Sequence, residues 1–242
     1  MTSAAPPDLH VAPFHTTRWT RVCLAKADSE DGRRALADLC DAYYEPVVVY
    51  LRSVFRDADA AREMSHAFFA EMLGGGTIRT AERERGRFRS YLLGAVKHFV
   101  GHQREAARRL KRGGGIEAVS LDDGEAAQVP DARLLSPDAE FDRQWAMTVI
   151  TRSMEALRAE CIGEGRGAFF EAVSSILNGH ASHGDQAALA ASCGMSFDAF
   201  RMAVSRLKKR LRQCVKSEVA GTLEDPATVQ EEMEALFSAL GR

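Results

Sequence analysis

An all-α fold of two small helical domains is what three observations predict. Apolar residues recur at steps of three and four along most of the chain, no stretch alternates at period two, and breaks rich in glycine or proline interrupt the pattern at residues 74–76 and 113–137. At 242 residues the chain is long enough for one large or two small domains. The divisions that follow are an N-terminal extension (1–31), a first helical domain (32–112), an acidic flexible linker (113–137), a second helical domain (138–217) and a C-terminal amphipathic helix (218–242).

Pro6, Pro7 and Pro13 make the first dozen residues poor candidates for order, and residues 16–27 suit a short helix with Trp19, Val22 and Cys23 on one side. From about Arg33, Leu36, Leu39, Tyr43, Val47, Tyr50 and Leu51 lie on one helical face, and residues 61–73 form a second helix before the glycines. A charged loop then reaches Arg85. In the next helix Arg87, Ser90, Gly94, Lys97, Gly101, Arg104, Arg108 and Lys111 share a basic, small-residue face, opposite Phe88, Leu92, Val96, Phe99, Ala106 and Leu110. Each glycine costs a helix about 1 kcal/mol against alanine, so two on the polar side ask for a reason. Close approach of a phosphate chain is one, and a solvated basic helix is the other reading.

Ser136 and Pro137 read as N-cap and first residue of a helix with Phe141, Trp145, Val149, Met154 and Leu157 as its stripe, and residues 168–177 supply another. In DQAALAASCGMSFDAFRMAVSRLKKRLRQ, Ala190 and Gly194 stand four apart and Phe200 follows six later. That is helix-turn-helix spacing: a small residue where helices touch, a glycine able to take positive φ, and an apolar residue closing the core. Ser196 is placed to cap the second helix, whose Phe200, Val204, Leu207 and Leu211 point inward. By the rule that a recognition helix reads bases with its first turns and holds phosphates with the rest, Asp198, Arg201, Met202 and Ser205 are the readers. Arg206, Lys208, Lys209, Arg210 and Arg212 are then the phosphate contacts.

The net charge of −2 averages unlike parts. Residues 79–112 hold eleven basic residues against Glu82, Glu84 and Glu105, and residues 201–216 contain no acid. The compensating acids include Asp122, Asp123, Glu125 and Asp131 of the linker and Glu218, Glu224, Asp225, Glu231, Glu232 and Glu234 of the tail. Local charge sets nucleic-acid affinity. The five cysteines, Cys23, Cys40, Cys161, Cys193 and Cys214, show no CxxC spacing, and with no signal peptide or membrane-length apolar run they predict a reduced, cytoplasmic protein. His98 and His102 stand one turn apart, as a metal pair would, but Phe99 occupies the place where a zinc protease has glutamate. These histidines, with His180 and His183, are read as structural or solvated. No metal, no cofactor and no catalytic constellation are expected.

The pieces RGRFRSYLLGAVKHF at 85–99, KRGGG at 111–115, the motif at 185–212, FHTTRW at 14–19 and the DPATV tail together resemble the extracytoplasmic-function group of bacterial RNA polymerase sigma factors, over roughly residues 14 to 242. The resemblance implies a promoter-specificity subunit and not an enzyme. It implies a first domain that docks on core polymerase through DADAAREMSHAFFAEML and opens the promoter, and a second that holds the upstream element in the major groove. The docking residues carried over are Glu63, His66, Phe68 and Phe69. Relatives usually have a Gln and a Glu where this chain has His66 and Ala67. For melting, the loop 74–85 corresponds to the family's base-capturing loop. Arg85, Arg87, Arg89 and Tyr91, continuing through Lys97, Arg104, Arg108 and Lys111, would meet the strand. Phe88 has two readings, strand contact and plain core.

The implied partners are core polymerase, promoter DNA and a regulatory protein of the anti-sigma kind, with no membrane. The alternatives are a dimeric helix-turn-helix repressor, which binds duplex operator without polymerase, and a sigma-like adaptor that no longer initiates. Residues 226–240, with Val229, Met233, Leu236, Phe237 and Leu240 apolar, are expected to fold back onto the second domain. There Glu231, Glu232 and Glu234 would screen residues 201–216, unless the stripe instead receives a separate regulator.

Overall fold

The computed structural model describes residues 29–74, 87–113, 135–178, 185–223 and 225–241. The expected helix in 16–27, FHTTRW, the loop 75–86, most of the linker with its acids, and His180 and His183 lie outside them. The fold is all-α. In chain order the helices are α1 (Glu30–Phe55), α2 (Ala58–Leu73), α3 (Phe88–Gly113), α4 (Pro137–Gly163), α5 (Gly167–Leu177), α6 (Asp185–Ser192), α7 (Phe197–Gly221) and, after a 3-10 turn (Pro226–Thr228), α8 (Val229–Leu240). They divide into two compact units, one of Thr16–Ile150 with Lys216–Arg242, the other containing Thr151–Val215.

In the first unit the starts of α1, α2 and α4 have a local cause. Ser29 Oγ accepts from the Gly32 N–H at 3.0 Å, and Glu30 and Asp31 place negative charge at the positive end of α1. The α1–α2 corner is set by Arg56, in the left-handed region at φ 55°, and by Asp57, whose Oδ1 accepts from the N–H groups of Asp59 at 2.8 Å and Ala60 at 3.2 Å. Ser136 Oγ caps α4 through Ala139 N–H at 3.2 Å, with Pro137 opening the helix as expected. The core is aromatic: Tyr43 meets Phe88 edge-on at 5.3 Å, and Phe68 meets Phe99 at 5.6 Å. Tyr43, Val47, Leu51, Phe88, Leu92, Val96 and Phe99 are buried as the periodicity predicts, but Ala106 is exposed. Phe88 is 1% exposed, which decides for its core reading.

The boundary expected at Asp138 is not where this chain divides. Residues 137–150 of α4 group with α1–α3, because Asp138 pairs with Lys97 at 2.5 Å, Asp142 pairs with Arg89, and the Arg89 guanidinium stacks on Trp145 at 4.5 Å. The tail groups there too, and not with the second unit as expected. Val229, Met233, Leu236 and Ala239 of α8 are buried. So is Glu232, at 0% exposed, whereas Phe237 is 55% exposed. Residues 229, 232, 233 and 236 form the covered stripe, and Phe237 falls off it.

The second unit has its own core of Leu157, Cys161, Phe170, Val173, Ile176, Ala190, Phe200, Val204 and Leu207. Two left-handed glycines end its helices. Gly165 (φ 72°) closes α4 while Arg166 N–H reaches Cys161 C=O at 2.7 Å, and Gly194 (φ 64°) closes α6 while Met195 N–H reaches Ala190 C=O at 2.9 Å.

Candidate nucleic-acid interface

The Gly194 turn fixes how α7 leaves α6. Ser196 then caps α7, its Oγ accepting from Ala199 N–H at 3.3 Å and its carbonyl from Phe200 N–H at 2.9 Å. Ala190 and Phe200 are both sealed, and Phe200 meets Phe169 edge-on at 6.0 Å. With Phe200, Val204 and Leu207 turned inward, every residue expected to touch DNA is left outside: Asp198, Arg201, Met202, Ser205, Arg206, Lys208, Lys209 and Arg212 are all exposed. Arg201, Ser205, Lys208, Lys209 and Arg212 come together along an open groove of about 500 Å³, with Gln186 of α6 and Ile176 and Val204 at its base. Asp198, Met202 and Arg206 lie outside it. Among the described residues, four cations and no acid line the groove, so it suits an anionic polymer.

Arg210 departs from the expected set. Its guanidinium grips Glu160 of α4 through Nε at 2.8 Å and Nη2 at 2.8 Å, and that hydrogen bond raises its pKa. It serves to tie α7 to α4. Phe197, half exposed at the start of α7, carries the Arg201 guanidinium 5.8 Å from its ring centre. The sequence reading missed this pair, although an aromatic residue four before an arginine on a helix is the signal for it.

The basic face of α3 is divided. Ser90, Gly94, Gly101, Arg104 and Arg108 are exposed, and Lys111 falls in the last turn. A Cβ built on Gly94 or Gly101 meets nothing within 4 Å among the described residues, so no packing contact among them accounts for either glycine. Lys97 is tied to Asp138, whose hydrogen bond raises its pKa. Tyr91 is half-buried beside Phe88, ring centres 6.0 Å apart. Arg85 lies outside the described residues.

Arg87 and Arg89 are not presented to solvent as expected. Arg87 bonds Glu231 at 3.1 Å and Glu232 at 2.9 Å. Arg89 is 8% exposed, donates from Nε and Nη2 to Glu232 at 3.0 and 3.3 Å, and also holds Asp142. Burial works against its charge, but the Glu232 and Asp142 carboxylates outweigh burial and raise its pKa. Glu232, Asp142 and Trp145 were missed as partners. A glutamate between Val229, Met233 and Leu236 was the available signal, because a carboxylate centred in an apolar stripe needs a buried cation.

The expected docking surface is half correct in exposure. Glu63 and His66 are exposed, and His66 Nε2 is 3.1 Å from the Tyr44 hydroxyl. Phe68 and Phe69 are instead core residues at 1% and 6% exposure, Phe69 stacked on Tyr44 and Phe68 edge-on to Phe69 and Phe99, so neither is a surface contact. The rings of His98 and His102 lie 4.1 Å apart, and no group of three metal-ligating side chains occurs among the described residues. No described helix is long and apolar enough to cross a membrane. Compared with protein-family models, with curated proteins and with solved structures, the chain matches none.

Proposed function

We propose that this chain is a promoter-specificity subunit of bacterial RNA polymerase, a sigma factor of the extracytoplasmic-function kind, acting in the cytoplasm. The observation that carries the reading is the exposed row Arg201, Ser205, Lys208 and Arg212 on a helix entered through the Gly194 turn and capped by Ser196. In this reading the first turns of α7 enter the major groove. Arg201 and Ser205 read base edges and Met202 and Phe197 offer apolar contact to thymine methyls, while Lys208, Lys209 and Arg212 hold phosphates. The exposed face of α3 with Gly94 and Gly101 lets a strand approach the backbone closely. Exposed Glu63 and His66 of α2 supply the polar part of a polymerase contact.

The test is permanganate reactivity of promoter thymines with and without core polymerase. Opening only with polymerase supports the reading. Opening by the chain alone overturns it, and tight binding of duplex operator without polymerase favours a repressor. No opening with polymerase on genomic promoter fragments overturns the sigma-factor reading.

A further inference from the structure

The arginines best placed at the head of α3 are occupied by the chain's own carboxylates. Glu231 and Glu232 come from α8, more than a hundred residues away, and between them make four contacts of 2.9 to 3.3 Å with Arg87 and Arg89. The first turn of α3 contains no acid of its own, so the helix's positive end and two guanidinium groups together form an anion site that α8 fills. We propose that α8 is a carboxylate latch on a site for single-stranded DNA, with Glu231 and Glu232 standing where strand phosphates would pair with Arg87 and Arg89. This rests on the function proposed above.

The latch is graded. The Arg87 and Glu231 side chains are 32% and 70% exposed, so water and salt reach that pair and its hold is weak. The Arg89 and Glu232 side chains are 10% and 1% exposed, and Arg89 keeps Asp142 and the Trp145 ring when α8 leaves. Arg89 therefore stays positioned in both states, while Arg87 is the group released. Because strand and α8 exclude each other at Arg87, any event that undocks α8 raises strand affinity by the factor by which strand binding loosens α8.

The experiment uses the full chain and oligo-dT, with binding followed by fluorescence anisotropy over a salt series. The variants are Glu231→Gln and Glu231→Gln/Glu232→Gln, and Glu234→Gln/Glu71→Gln is the control removing two exposed charges elsewhere in the same unit. Expected is a several-fold gain in affinity for the double latch variant, beyond the control's gain. Its dependence of log K on log salt should steepen by about 0.7 for the one cation released, Arg87, on a single strand. Glu231→Gln, whose residue is exposed and safe for folding, should show part of the gain. Equal gains in latch and control variants, no gain, or no oligo-dT binding by any variant overturns the latch. Polymerase-dependent run-off transcription by the unaltered chain is measured beside it. Transcription without a latch gain refutes the latch alone, whereas a latch gain without transcription refutes the function.

Discussion

Arg89 and Glu232 form an ion pair at 3.0 Å that joins the start of α3 to the first turn of α8, and neither residue is more than 8% exposed. A pair this enclosed adds little against a well-packed apolar substitute, but removing one partner strands the other charge. Glu232→Ala leaves Asp142 as the remaining carboxylate on Arg89, so it is expected to cost less than the about 3–5 kcal/mol of a fully stranded charge but more than a surface pair. Glu231→Ala, at the wet end of the same network, should cost less than about 1 kcal/mol. Urea denaturation of the full chain compares them. Similar costs for the two variants would show that the network is not organised around Glu232.

The two open glycines of α3 separate stability from function. Among the described residues nothing lies within 4 Å of a Cβ at Gly94 or Gly101, so alanine should stabilise the helix by about 1 kcal/mol at each position. If the face meets a strand at backbone distance, the added methyls stand between helix and phosphates, and promoter opening should fall. Gly94→Ala/Gly101→Ala should raise the Tm and lower permanganate reactivity together. A higher Tm with unchanged opening would remove this face from the interface.

Helices were legible in the sequence where a single face decides the structure. Tyr43, Val47 and Leu51, the α3 stripe and the Gly194 turn follow from periodicity and from the backbone freedom of one residue. The pairings between distant segments were not legible. Glu232 was expected to screen residues 201–216 because charge alone says nothing about its partner, which lies 143 residues away. Phe68 and Phe69 were assigned to a surface by resemblance, although their neighbours Tyr44 and Phe99 were available to bury them. In the candidate interface, the α7 face was readable because inward Phe200, Val204 and Leu207 leave its cations one direction to point. Arg210 escaped that rule by reaching back to Glu160.

Alkaline pH should destabilise the first unit through groups buried in their neutral forms. Burial, with Asp41 adding, pushes the Cys40 thiol up to about 11 from 9.0. Between those values the folded chain binds more protons than the unfolded one, so this contribution to stability is intact below pH 9.0 and is lost as pH rises toward about 11. Tyr50 is also raised, by burial and then by Asp138, and acts in the same direction. Lys97, raised by its hydrogen bond to Asp138, loses its contribution as it deprotonates above 10.5. Urea midpoints measured from pH 8 to about 11 should fall in the unaltered chain and fall less steeply in Cys40→Ser. Parallel curves would mean that Cys40 ionises as freely in the folded chain as in the unfolded one.

Specificity and affinity should come apart along α7. Arg201 stands in its second turn, where a recognition helix meets base edges, and its guanidinium is steadied over Phe197 at 5.8 Å. Lys208 and Arg212 lie two and three turns further along the same groove, at the distance where such a helix passes the backbone. Arg201→Ala is expected to lose about 1–3 kcal/mol of discrimination at one base pair of the upstream element, with weak sequences little affected. Lys208→Ala or Arg212→Ala should weaken every sequence alike and reduce the salt slope by about one. Phe197→Ala should reproduce part of the Arg201→Ala loss without changing the salt slope, since it frees the guanidinium but removes no charge. Binding of the full chain with core polymerase to promoter variants, over a salt series, reads all three. Uniform losses from Arg201→Ala across those variants would make it one more phosphate contact and move the reading of bases elsewhere on α7.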